Sequence, residues 1–177
     1  MRSVLLLLLF YSGTAQAQAG SPVFSGSCSG EKITVLGPTN RYKIELQLAL
    51  AKMNSPTVSR KSCAFRMPIK LKEKEKVVVT EVEQDVRIIA GPGVESKSSL
   101  EIFIAGQKLV PMQLNLKGLD STEKLSRKLK SDGVVTESGC GSDVILAGNL
   151  AASVVGSGKG TVKMFPVLLT MEIVGCP

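Results

Sequence analysis

Apolar and polar residues alternate with a period of two over most of the chain, the spacing of half-buried strands whose successive side chains point to opposite faces. Tyr42, Ile44, Leu46, Leu48 and Leu50 alternate with Lys43, Glu45, Gln47 and Ala49. Phe65, Met67, Ile69 and Leu71 do the same with Arg66, Pro68, Lys70 and Lys72. In a longer segment Val78, Thr80, Val82, Gln84, Val86 and Ile88 are expected on one face, and Glu81, Glu83, Asp85 and Arg87 on the other. A helix would have spread those acids round its circumference. Leu100, Ile102 and Ile104 continue the pattern, Gln107 to Leu116 predicts another strand, and Val144–Val155 and Thr161–Val174 predict the last two.

Turn signals separate these runs: Gly37-Pro38-Thr39-Asn40, Asn54-Ser55-Pro56, Gly91-Pro92-Gly93, Ala105-Gly106-Gln107 and Gly156-Ser157-Gly158-Lys159-Gly160. Tight turns of this kind are expected to join antiparallel neighbours. Pro68 and Pro166 fall inside strand-like runs, and because proline cannot donate to a ladder each is expected at an edge or a bulge. One segment carries helix signals: Asp120-Ser121-Thr122-Glu123 has a capping-box pattern, Leu125 and Leu129 follow at i,i+4, and Gly133 would end it. It reads as a short surface helix or a charged loop. The expected fold is therefore all-β, a two-sheet antiparallel β-sandwich of jelly-roll or immunoglobulin-like type with at most one short helix.

Composition places this fold outside the cytoplasm. Arg2, the apolar run Val4 to Tyr11 and Ala15-Gln16-Ala17 read as the charged region, core and cleavage site of a secretory signal over residues 1–19. The apolar run is far shorter than the roughly 20 residues a spanning helix needs. Residues 20–177 then form a single domain, secreted or periplasmic. In that setting four cysteines are expected to pair. Cys28, Cys63, Cys140 and Cys176 lie 35, 77 and 36 residues apart. Three pairings are open, and the spacings favour two compact loops, Cys28 with Cys63 and Cys140 with Cys176.

The chain of 177 residues contains no histidine, which removes Ser-His-Asp and Cys-His hydrolases and every zinc site built on imidazole. No CxxC pair is present, and neither a metal nor a cofactor is expected. Gly156-Ser-Gly-Lys-Gly-Thr161 lacks the spacing of a phosphate-binding loop and is expected to sit between two strands, so it reads as a turn. The formal net charge is +7, and its excess is local: Arg60, Lys61, Arg66, Lys70, Lys72, Lys74 and Lys76 are accompanied only by Glu73 and Glu75. Lys124, Arg127, Lys128 and Lys130 form a second basic cluster.

These features point first to a non-enzymatic structural, adhesive or binding module. Arg66, Lys70, Lys72, Lys74 and Lys76, read as a basic hairpin, are its candidate contact for an acidic partner such as acidic polysaccharide or lipid headgroups. Nucleic acid is disfavoured, because two Tyr, five Phe and no Trp leave little for bases to stack on. The second reading is a histidine-free hydrolase of glycans, using Glu81, Glu83 and Asp85 on one strand face as acid and base. Against it stands the plainer reading of those acids as a solvated face paired with lysines of a neighbouring strand.

The order Gly26-Ser27-Cys28, then Arg60-Lys61-Ser62-Cys63 opening a strand, then Cys140 followed by the strand Ile145 to Val154, and a final cysteine at the end resembles the small secreted four-cysteine β proteins grouped as domain of unknown function 4360. The resemblance implies a disulfide-bearing β-sandwich and brings no established activity. Lys72-Glu73-Lys74-Glu75 and Glu83-Gln84-Asp85 depart from that family's pattern.

Overall fold

The structure, a computed structural model, describes residues 18–27, 32–36, 41–45, 48–52, 58–104, 107–108 and 111–177. Its strands are β1 (Gln18–Ala19), β2 (Val23–Gly26), β3 (Ile33–Leu36), β4 (Arg41–Ile44), β5 (Leu48–Lys52), β6 (Ser59–Lys70), β7 (Glu75–Ala90), β8 (Val94–Ile104), β9 (Gln107–Lys108), β10 (Met112–Gly118), β11 (Glu123–Glu137), β12 (Val144–Val155) and β13 (Gly160–Gly175). The first sheet runs β1-β6-β12-β8-β10, with β2 following β1 along β6 and β9 pairing with β8. The second runs β11-β7-β13-β4-β3, with β5 and β4 in succession along β13. Every ladder between these strands is antiparallel, so the molecule is the expected two-sheet β-sandwich. No described residue is helical, and none belongs to a helix long and apolar enough to cross a membrane.

The alternating pattern does what it predicts: Phe65, Met67 and Ile69 of β6, Leu100, Ile102 and Ile104 of β8, and Leu146 and Leu150 of β12 meet Val82, Val86, Ile88, Val162 and Leu169 from the second sheet between the layers. The core is aliphatic, with Phe65 the one aromatic among its largest fully buried side chains. At roughly 25 cal/mol per Å² this shared burial is what holds the sheets together.

Three local expectations are corrected. The register between β7 and β13 slips at Thr80, since Thr170 pairs with Glu81 but Met171 pairs with Val79. A bulge inserts one residue and exchanges faces beyond it. Val77 and Val79 therefore join the core cluster between the sheets, while Val78, also buried, lies outside that cluster and Thr80 is half-buried. Pro166 behaves as expected: with Phe165 it stands opposite the single residue Asp85 in a second bulge. Pro68 turns its carbonyl toward Gly20 in the gap between β1 and β2, where no ladder partner awaits its missing N–H (Gly20 N–H to Pro68 O, 2.8 Å).

The second correction concerns residues 120–133, where the helix signals are overridden and the chain runs as the long edge strand β11. Leu125 and Leu129 are four apart, a spacing that serves a strand face as well as a helix face. What decides is the partner, because Lys128 lies in register with Asp85 and Lys130 with Glu83 on β7. Cross-strand opposite charges favour the sheet.

The third concerns turns. The tight connections after β6, β7 and β12 carry the chain from one sheet to the other instead of joining neighbours within a sheet. Lys70 and Lys76 consequently belong to different sheets, and the segment between them is an inter-sheet crossover rather than a hairpin. The crossovers after β7, β10 and β12 pack against one another: Gly91 N–H donates to Lys159 O (2.8 Å) and Gly93 N–H to Gly118 O (2.9 Å). Glycine is required there, since a Cβ on Gly118 would lie 2.2 Å from Gly91 O, and Gly156 combines φ of +120° with a similar approach to Gly93 O. At the opposite end Cys140 and Cys176 form a disulfide (Cα–Cα 6.2 Å) that ties the β11–β12 connection to the end of β13. Cys63 is also disulfide-bonded and buried; Cys28 lies outside the described residues.

Candidate functional site

The outward positions of the first sheet differ from those of the second in size. Toward solvent β6 presents Arg60, Ser62, Ala64, Arg66, Pro68 and Lys70, while β12 presents Ala147, Asn149, Ala151 and Ser153. β8 adds Lys97, Ser99 and Glu101, and β10 adds Gln113 and Asn115. The registers stack these into rungs. One rung reads Arg60, Ser153, Lys97, Asn115; the next reads Ser62, Ala151, Ser99, Gln113; a third reads Ala64, Asn149, Glu101.

Small side chains on adjacent central strands leave a depression, and longer ones around them form its rim. Its volume is about 560 Å³, with Ser62, Ala151, Ser99 and Ser153 as the floor and Arg60, Lys61, Lys97, Gln113, Asn115 and Ser27 around it. A second depression of about 460 Å³ adjoins it across Ser62, Ala151 and Ser99 and extends to Ala64, Asn149, Glu101 and Ser25. The first lies within the usual size range of small-molecule sites but is lined mainly by hydroxyl, amide and cationic groups, with no aromatic side chain among the described residues.

The charges on this face are unevenly matched. Arg60, Arg66 and Lys70 have no ion-pair partner among the described residues. Lys97 pairs with Glu95 at 2.9 Å, and Asn115 Nδ2 donates to the same carboxylate at 2.9 Å. These hydrogen bonds, that from Lys97 foremost, hold the Glu95 carboxyl below the usual glutamate range against a smaller opposing effect of desolvation. Lys61 Nζ donates to Ala49 O (3.2 Å).

The residues singled out from the sequence fall in three places. Arg66 and Lys70 lie on β6 at the far end of the same outer face as Arg60, Lys72 and Lys74 occupy the crossover, and Lys76 lies on β7 with its ammonium 2.8 Å from Glu137. The five therefore do not form one contact. Glu81, Glu83 and Asp85 share the outer face of the second sheet, as expected, and there they meet lysines. Lys128 reaches Glu83 at 2.7 Å, Lys130 reaches Glu81 at 2.9 Å and Glu83 at 3.7 Å, and Thr170 Oγ1 donates to Glu81 at 3.1 Å. None of the three acids lines either depression. Among the described residues no group of three or more acids and cysteines is placed to hold a metal ion. Lys97, Ser99, Asn115 and Ser153 escaped the sequence reading. Their signal was a run of small outward residues on successive strands, and only strand order makes them neighbours.

No protein-family model matches the chain, and no curated protein matches it. Among solved structures it is similar to TmCBM61 in complex with β-1,4-galactotriose (11% identity, 87% of this chain and 88% of that chain covered, TM-score 0.26). It is also similar to the enzymatically active domain of tailspike protein 4 of bacteriophage CBA120 (11%, 87% and 19%, TM-score 0.30). A third is a structure described as CBM4 (9%, 83% and 78%, TM-score 0.27). The two-sheet architecture rests on the strand ladders above and not on these likenesses.

Proposed function

We propose that the protein is an exported, non-enzymatic binding module that engages an acidic partner through the outer face of its first sheet. The observation that carries this reading is the contrast between the two outer faces. On the second sheet Lys128 and Lys130 are matched to carboxylates, and Arg87 and Lys163 lie over the ring of Phe165 at 5.0 and 4.8 Å from its centroid. On the first sheet Arg60, Arg66 and Lys70 project from one strand with no ion-pair partner among the described residues. Alternate residues on a strand face stand roughly 7 Å apart, so these cations extend along about 30 Å of one ridge. A row of uncompensated charge attracts a polyanion and is weakened by salt. The matched acids of the second sheet fit a structural role.

The test is retention on immobilised heparin. Reversal of three charges on β6 (R60E, R66E, K70E) abolishes retention, while an equal reversal at exposed sites elsewhere (K124E, R127E, K159E) leaves most of it. Equal loss in both triples would show attraction to net charge alone and overturn the assignment to this face.

A further inference from the structure

We infer that the depression beside Arg60 is a binding site for a chain of acidic sugar residues, an inference that rests on the proposed function and narrows its partner to acidic polysaccharide. Three observations converge on this class. The first is the lining: Ser62, Ser99, Ser153, Asn115 and Gln113 offer hydroxyl and amide groups that both donate and accept, which suits a ligand carrying many hydroxyls. The second is charge at defined points. Arg60 and Lys97 stand on the two sides of Ser153 in one rung, two strands and so about 10 Å apart. A carboxylate or sulfate lowered over Ser153 meets Arg60, whose planar guanidinium is suited to hold it by two parallel hydrogen bonds, while Lys97, paired with Glu95 at 2.9 Å, flanks it on the other side.

The third is shape. The floor is small because Ala151, Ser62 and Ser99 occupy three adjacent strands in register, and the second depression continues it past them to Asn149 and the Glu101 carboxylate, so an acidic group is directed to the Arg60 end and hydroxyls to the other. A trough about four strands wide takes an extended chain rather than a single compact anion. Among the described residues neither depression contains an aromatic side chain on which bases would stack. A lipid surface would need a protruding apolar element beside the cations; Val23 and Ile145 are exposed only at the far end of this face, and the groups around Arg60 surround a polar hollow.

The experiment is calorimetric titration of the purified protein with an oligogalacturonate, with its fully methyl-esterified form, and with anionic phosphatidylglycerol vesicles. The acidic oligomer binds, esterification weakens binding at least tenfold, and vesicles neither bind comparably nor displace it. Ala151→Trp fills the trough while leaving every cation in place and lowers affinity at least tenfold. Ser62→Trp, at an exposed position, repeats the test should the first variant fail to fold as judged by circular dichroism. Unchanged affinity in a folded tryptophan variant, or vesicles binding as well as the oligomer, overturns the inference. If heparin retention still depends on β6 in that case, the acidic-partner reading survives without the trough. If no polyanion binds at all, both fall.

Discussion

Gly148 lies on the inward face of β12, directly beneath the trough, and its missing side chain makes room for a larger one. A Cβ there would sit 2.3 Å from Phe65 Cε1 and 3.0 Å from Ile102 Cδ1. Gly148→Ala therefore overpacks the core and is expected to cost about 1–3 kcal/mol in a denaturant titration. Lys74 presents the opposite case. It holds φ of 62° in the crossover after β6, where Glu75 N–H donates to Lys72 O (3.1 Å) and Lys72 N–H to the Glu75 carboxylate (2.8 Å). A side chain in the left-handed region costs about 1–2 kcal/mol, so Lys74→Gly should stabilise by up to about 1 kcal/mol and raise Tm by a few degrees. A lower Tm would show that the Lys74 side chain contributes more than its backbone strain removes. Glu95 gives a prediction in pH. Its carboxyl is held below the usual range first by Lys97, so the contribution of that pairing is present above the ordinary glutamate pKa and lost as pH falls through the lowered one. Lys97→Met should move the Glu95 midpoint upward in a carboxyl NMR titration, and an unmoved midpoint would deny the coupling.

At the scale of elements, β11 and β7 are joined by charge as well as by backbone. The side chain of Glu83 is only 8% exposed, and Lys128 is its nearest cation at 2.7 Å. Lys128→Met should cost about 1 kcal/mol by weakening the pairing of a nearly buried carboxylate that Lys130 still approaches at 3.7 Å, whereas Lys124→Met, which stands opposite Ile89, should be close to neutral. The disulfide acts on a larger element. Cys140 and Cys176 close a loop of 36 residues, and the double serine variant is expected to lose about 4 kcal/mol in the chain-entropy account. Peptide mapping under non-reducing conditions should also link Cys28 to Cys63, completing the two compact loops.

Strands such as β12 were legible almost residue for residue, because alternation reports which residues are buried wherever one face is wet and the other dry. The bulge at Thr80 was not, since an inserted residue leaves composition unchanged and shows itself only in register with β13. Nor was β11, whose leucine spacing satisfies both helix and strand until Asp85 and Glu83 appear beside its lysines. The candidate site was hidden for the same reason. Arg66 and Lys70 were visible as a basic run, but Lys97, Ser99 and Asn115 join Arg60 only through the β6-β12-β8-β10 order, and connections that cross between sheets scatter that order along the chain.

Taken as a whole molecule, the sandwich divides its labour between two outer faces. The second sheet matches Glu81 and Glu83 with Lys128 and Lys130, and its long edge strand carries lysines that discourage pairing with other chains. The first sheet leaves Arg60, Arg66 and Lys70 without an ion-pair partner among the described residues and hollows its centre with small residues over a packed core. On the proposed function, stability and binding rest on different surfaces, and changes to one are expected to leave the other largely intact. The most direct measurement is an NMR titration of the labelled protein with an acidic oligosaccharide, following backbone amides on both sheets. The shifts are expected to cluster at Arg60, Ser62, Lys97, Ser99, Asn115 and Ala151. Shifts confined to the Lys72–Lys74 crossover or to the Glu81–Asp85 face would contradict the assignment of binding to the first sheet.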